Sequence, residues 1–250
     1  MAISTSELER AAAAGWQAPE ETSLGDWLLR AAAGFTGRAN SALAIGDPGV
    51  PLAAAIEHVS DWYAERGLPA MVAVPFPVGQ PQASPVDRYL DERGWPVARG
   101  AIVMTADAAT VTGTAAAEAV DVAVEPQPDE GWLALYRYRG TTPPPISRQL
   151  LMSAPWQAFA SVRENGVTVA IGRVAVAGDW AGLTAVEVDP RHRRRGHGQA
   201  ITAALVTAAT SRGATGVYLQ VGDDNAPARA LYRQAGFTDH HGYHYRVAPA

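Results

Sequence analysis

The 250 residues include no cysteine. That absence excludes a disulfide framework, a thiolate metal site and a cysteine nucleophile. A basic excess is missing too: 20 Lys and Arg stand against 25 Asp and Glu, for a formal net charge of −5 at pH 7. This argues against a general polyanion binder, which carries a basic surplus over much of one face. No stretch reaches the roughly 18 uncharged apolar residues that a membrane span requires. The opening residues lack an apolar run after a basic start, so no secretory signal is expected. What remains is the composition of a cytoplasmic globular protein, long enough for one large domain or two small ones.

Periodicity divides what is present into two similar runs. In the first, "DWLLRAAA" (26–33), "RANSALAI" (38–45), "PAMVAVPF" (69–76) and "WPVARGAIVMTA" (95–106) read as strands, short, apolar and bounded by turn residues. Leu52, Ile56, Val59 and Tyr63 recur at helical spacing between a proline start and a glycine stop, and 85–94 reads as a short helix. The Ala- and Thr-rich stretch 107–121 reads as a linker. In the second run, residues 156–190 hold three strands separated by "ENG" and "AGDWAG", an antiparallel meander. A helix follows from near Gly198 to about Thr210, then a strand at 214–221, a helix at 225–236 with Asn225 as its cap, and a terminal strand or hairpin. Residues 65–74 can be laid over 211–221, and 89–95 over 231–237, which points to duplication. The expected fold class is α/β in two halves, each a mixed, mostly antiparallel sheet flanked by helices. The domains would be 1–110 and 122–250, with a linker at 111–121.

One junction carries chemistry. "DPRHRRRGHGQA" (189–200) sets Arg191, Arg193, Arg194 and Arg195 in front of Gly196, His197 and Gly198, where a strand gives way to a helix. A helix N-terminus presents unpaired N–H groups and the positive end of the helix dipole. Glycine there lets the backbone close around phosphate oxygens. The pattern predicts a loop folded around one phosphorylated small molecule. A Rossmann loop would instead read G-x-G-x-x-G after an early parallel strand. A nucleic-acid surface would spread its basic residues along a face with aromatics between them. A solvated charge run has no need of the two glycines. The first half reads "AIGDPGVPLA" at the matching place, without arginine or Gly-x-Gly.

These residues resemble the acyl-CoA-binding motif of the GCN5-related N-acetyltransferases (GNAT), Arg/Gln-x-x-Gly-x-Gly/Ala, here Arg193, Gly196 and Gly198. The preceding "VEVDP" and the following Asn225, Ala228, Leu231, Tyr232, Gly236 and Phe237 stand in the family's order and spacing over roughly residues 122–250. The first half, with "WLLRAAAGFTGRANSAL", resembles the degenerate GNAT-like N-terminal part of a two-part actinobacterial group. The resemblance implies two GNAT-like halves, acetyl-CoA as the acetyl donor, and no metal. It implies donor contacts from Val186, Val188, Arg193, Arg194, Arg195, Gly196, His197, Gly198, Gln199, Asn225 and Ala228. It also implies a slot for the pantetheine arm, where the strand ending at Val188 splays from the one at 214–221.

Acetyl transfer needs a neutral amine, a stabilised oxyanion and a protonated leaving thiolate. Tyr232 occupies the family's general-acid position, where a phenol of ordinary pKa about 10 would give a proton to a thiolate of about 8.5 once the amine has attacked. Glu187, on the strand beside the slot, is the candidate general base, and a structural salt-bridge glutamate is an equal reading. Asp223, Asp224, His241 and His244 have weaker spacing arguments. Tyr138, Arg139 and the Pro143–Pro145 loop suit the acceptor side, and Trp132, Leu135 and Tyr136 suit core packing. The expected function is direct N-acetyl transfer to a small-molecule amine or peptide acceptor, with no nucleic-acid or membrane partner and a homodimer as the candidate assembly. The alternative is a non-catalytic acyl-CoA-binding or sensing protein.

Overall fold

The structure is a computed structural model that describes residues 3–80, 83–113, 120–138 and 140–249. Arg139 therefore lies outside the described residues. The chain divides into two compact units, and the division is not sequential. The first takes Met1–Val103, Val221–Asn225 and Asp239–Ala250, and the second takes Met104–Gln220 and Ala226–Thr238. Among the described residues no helix is long and apolar enough to cross a membrane.

The first unit holds helices α1 (Thr5–Ala14), α2 (Leu52–Ala64) and α3 (Pro85–Asp91), and strands β1 (Glu20–Leu24), β2 (Trp27–Ala31), β3 (Ala42–Leu43) and β4 (Met71–Phe76). It also takes most of β11 (Thr238–Val247) and the first part of β5 (Val97–Asp107). These strands lie in the order β1-β2-β3-β4-β11-β5. Only the β3–β4 pair is parallel among β1–β2, β2–β3, β3–β4 and β4–β11. Helix α2 forms as its spacing predicts, burying Ile56, Val59 and Tyr63 in a core with Trp27, Leu29, Val72, Val74, Leu90 and Trp95. Each such side chain stabilises the unit by about 1.5–3 kcal/mol on burial.

Two sequence expectations need correction here. The run 38–45 was expected to be a strand, but only Ala42–Leu43 pairs. Asn40 is the reason. Its side chain accepts from the N–H groups of Ala32 and Gly34 and donates to the carbonyls of Phe35 and Thr36, so a compact loop replaces the ladder. The second is the stretch 107–121: residues Ala108–Gly113 form helix α4, and 114–119 lie outside the described residues. Helix α1 was missed, although Ser4 and Glu7 form a capping box that the sequence displays.

The terminal segment is a single strand, β11, paired antiparallel with β4 from Gly242↔Phe76 to Val247↔Met71. Its His241, His244 and Arg246 side chains are buried within the first unit. Arg246 spans Asp87 through two nitrogens at 2.8 and 3.0 Å, and also donates to Asp91 Oδ1 and the Trp95 carbonyl. His244 Nε2 stands 2.5 Å from Asp87 Oδ1, and His241 Nε2 2.8 Å from Glu9 Oε1. Burial alone raises the Asp87 carboxyl, and the hydrogen bonds from Arg246 and His244 more than reverse that, leaving it below the ordinary value. Because the folded value is depressed, this stabilisation is complete above the ordinary carboxylate range and is lost as pH falls through the lowered value. Asp87→Asn takes from the buried guanidinium the carboxylate it grips through two nitrogens, leaving it only the exposed Asp91, and should cost about 3 kcal/mol. Denaturant midpoints at neutral pH measure it, and a loss below about 1 kcal/mol would refute the account.

The second unit holds β6 (Ala123–Glu125), α5 (Glu130–Leu135), α6 (Ile146–Leu151), β7 (Trp156–Glu164), β8 (Val167–Ala177), β9 (Trp180–Val188), α7 (His197–Thr210), most of β10 (Gly216–Gly222) and α8 (Ala226–Gln234). The order is β10-β9-β8-β7-β6. The expected meander is present as β7-β8-β9, antiparallel throughout, and β10 joins β9 in parallel. The Asn165-Gly166 pair closes β7 onto β8 with both residues at positive φ, 51° and 78°, the conformation a two-residue hairpin favours.

Candidate active site

Strand β9 departs from regular pairing where the site begins. Arg173↔Thr184 and Ile171↔Glu187 are rungs of the β8–β9 ladder, so Gly172 faces both Ala185 and Val186. This is a bulge, and Ala185 takes φ 53° within it. The Gly172 carbonyl accepts from Trp132 Nε1 at 3.2 Å, which gives that core tryptophan a polar task as well. Gly172 also has no room for a Cβ, which would stand 2.5 Å from Ile201 and 2.9 Å from Leu205. Helix α7 can therefore lie close on the sheet. On the other side of β9, pairing with β10 runs from Trp180 to Leu183 and stops, so Thr184–Val188 have no rung there among the described residues.

The arginine loop follows. Asp189 accepts from the Arg191 N–H and guanidinium, which hold its carboxyl well below the usual range, and Pro190–His192 form a single 3-10 turn. Gly196 is the N-cap of α7 at φ 77°. An added Cβ on Gly196 would meet nothing within 4 Å, and one on Gly198 only Val188 Cγ2 at 3.7 Å. The cradle in front of the first α7 amides is open.

That helix start borders a pocket of about 130 Å³ lined by Val111, Val186, Gly198, Gln199, Thr202, Leu231, Tyr232, Gln234 and Ala235. Four of the expected site residues, Val186, Gly198, Gln199 and Tyr232, thus meet around one cavity, with Leu231 of the same motif beside them. Tyr232 is half-buried, stacked edge-on against Phe237 with ring centroids 5.7 Å apart, and desolvation pushes its phenol up to about 12. Thr202 was missed. Its spacing of four from Gly198 would have placed it on the same helix face, and its hydroxyl donates to the Gly198 carbonyl.

A family model described as "Probable histone acetyltransferase Rv0428c C-terminal" matches residues 4–246. The chain belongs to that family. Among curated relatives of this Rv0428c-family chain, "Uncharacterized N-acetyltransferase YobR" of Bacillus subtilis is 28% identical over 96% of the chain and 97% of the relative. "Probable histone acetyltransferase Rv0428c" of Mycobacterium tuberculosis is 34% identical over 97% of the chain and 73% of the relative. A solved GCN5-related N-acetyltransferase from Kribbella flavida superposes with a TM-score of 0.68 over 100% of the chain and 97% of that structure, at 19% identity, and shows the fold. The Rv0428c-family chain is an N-acetyltransferase with a GNAT fold.

The remaining site residues are placed as follows in this family member. Val188 Cγ2 is the nearest atom to the open side of Gly198, and the Val188 carbonyl accepts from Arg193 Nε at 3.3 Å. Glu187 is not among the pocket walls. Its Oε2 accepts from the Arg137 backbone N–H at 3.0 Å, and burial raises its carboxyl while that bond and the Arg137 and Arg193 charges oppose the rise. Asn225 is exposed just before α8, with its N–H on the Gly222 carbonyl, and Ala228 is half-buried on that helix. The His197 side chain is buried, with Nε2 2.9 Å from Glu164 Oε1. Arg195 is likewise drawn to Glu164, at 3.3 Å. Arg194, at φ 63°, has no hydrogen-bond or ion-pair partner among the described residues. His241 and His244 are committed to buried carboxylates in the first unit, which removes them as candidate bases.

In the first unit, the turn before α2 shows why no arginine loop stands there. The Asp47 N–H donates to Asp26 Oδ2 at 2.9 Å and the Gly49 N–H to Asp47 Oδ1 at 2.8 Å. The chain's own carboxylates occupy amides that an anion would otherwise seek.

Proposed function

We propose that the chain is an acetyl-CoA-dependent N-acetyltransferase that moves the acetyl group directly to an amine of a small molecule or peptide. One observation carries this reading: the open N-terminus of α7 and the Tyr232 phenol border the same pocket. The donor fits what is there. Its pyrophosphate suits the amides after Gly196 together with Arg193 and Arg194, and its pantetheine arm suits the edge of β9 at Val186 and Val188, where backbone groups lack a ladder. Gln199, Asn225 and Ala228 complete the donor side in this reading. It takes the second unit, whose Val111 lines the pocket, as the catalytic one and the first unit as a degenerate GNAT-like one.

The chemistry balances as follows. The neutral amine attacks the thioester carbonyl, the carbon–sulfur bond breaks, and the proton lost by nitrogen ends on sulfur. With a phenol near 12 and a thiol near 8.5, full transfer from Tyr232 is uphill by roughly 3 to 4 units, or about 5 kcal/mol. Tyr232 in this reading donates a hydrogen bond to the departing sulfur and passes its proton as one arrives from the nitrogen. In this reading Glu187, its carboxyl raised by burial, takes through water the proton that an ammonium acceptor sheds before it attacks.

The test is release of free thiol from acetyl-CoA as a function of added amine, beside calorimetric titration of CoA. Saturable binding with amine-dependent turnover supports transfer. Binding without turnover on a panel of amines and N-terminal peptides would favour the non-catalytic acyl-CoA-binding reading, for which the packing of Tyr232 on Phe237 is the structural argument. Within the loop, Arg194→Ala should weaken CoA about tenfold, the loss of one charge-assisted contact. Arg191→Ala, whose guanidinium is held by Asp189, should change it by less than about threefold. Equal losses in the two variants would refute this division of the arginines.

A further inference from the structure

The cations between Arg191 and His197 are sorted by carboxylates, and one of these comes from a distant part of the chain. Glu164 ends β7 at the mouth of the Asn165-Gly166 turn, opposite Val167, so its position is set by a tight hairpin. Its Oε1 lies 2.9 Å from His197 Nε2, and its Oε2 lies 3.3 Å from Arg195 Nη1 and 3.6 Å from His192 Nε2. His197 is the first residue of α7, sits between the two loop glycines, and is buried. Glycines on both sides give the backbone freedom, and the His197 ring anchored on Glu164 removes it.

We propose that Glu164 is the positioning residue of the anion loop. It touches no ligand itself. By pinning His197 it fixes the direction of the first α7 amides, and by drawing Arg195 and His192 aside it leaves Arg194 and the amides to the phosphates. The inference rests on the acetyl-CoA reading above, and it assigns the pyrophosphate part of the donor to a loop preformed by this carboxylate.

Acetyl-pantetheine separates this role from a general fold defect, because it carries the thioester without the pyrophosphate. In Glu164→Ala, the preference in kcat/KM for acetyl-CoA over acetyl-pantetheine should fall about tenfold, through KM for acetyl-CoA, with the calorimetric Kd of CoA rising by a similar factor. Glu164→Gln keeps an oxygen for the His197 N–H and should hold the preference within about threefold of wild type. A variant that loses both donors in equal proportion, or a Kd of CoA unmoved in Glu164→Ala, overturns the inference. A wild type that binds CoA and turns over neither donor overturns the transferase reading instead, while the Kd comparison still decides the role of Glu164. A wild type that binds no CoA overturns both.

Discussion

Tyr232→Phe should lower kcat about 10²- to 10³-fold at saturating donor and amine, with KM for acetyl-CoA changed by less than about threefold. The substitution keeps the ring against Phe237, so the helix packing that holds the pocket is retained. What is lost, on the proposed mechanism, is the hydroxyl that hydrogen-bonds the departing sulfur. The pH dependence follows from the raised phenol. Because desolvation holds it protonated up to about 12, Tyr232 contributes no alkaline limb to the rate between pH 6 and 10. The rise in rate with pH in that range then belongs to the amine. Steady-state kinetics across that pH range decide the matter. A variant that keeps more than about a third of wild-type kcat would leave Tyr232 a packing residue and remove it from the chemical step.

Gly196→Glu should weaken CoA binding by at least about 100-fold, which corresponds to roughly 2.7 kcal/mol. Two effects add. At φ 77° a side chain is strained by about 1–3 kcal/mol, although there is open space for it. The new carboxylate also stands where the phosphates are to sit, against the anion preference of the helix start. Gly196→Ala isolates the first effect and should cost only about five- to tenfold. Calorimetric titration of CoA into both variants separates strain from charge. If the Glu variant binds as the Ala variant does, the loop does not hold the phosphates.

The two variants probe features of very different legibility. The glycines, the arginines and the tyrosine were readable because each belongs to a local pattern: a strand end, a turn and a helix start within a dozen residues, and an amphipathic helix ending at Gly236. Local patterns are set by backbone sterics and by the helix period, and both are properties of neighbouring residues. The capping box of α1 was equally local and went unread. Asn40 shows the limit of such reading, since "RANSALAI" has the composition of a strand while one side chain satisfies four backbone groups and folds it into a loop.

The sequence by itself determined that an anion-seeking helix start would follow an antiparallel meander, and that the first half would lack one. Tertiary structure alone decided which cations of the loop are free, because the carboxylate that engages Arg195 and His197 is 31 and 33 positions away. It also decided that β11 completes the first unit, through Arg246 and Asp87, 159 positions apart. And it decided that the phenol of Tyr232 lies near 12, a consequence of what surrounds it in space. The reason is common to all three. Charge pairing and desolvation depend on distance in space, and the chain brings those partners together only once its sheets are built.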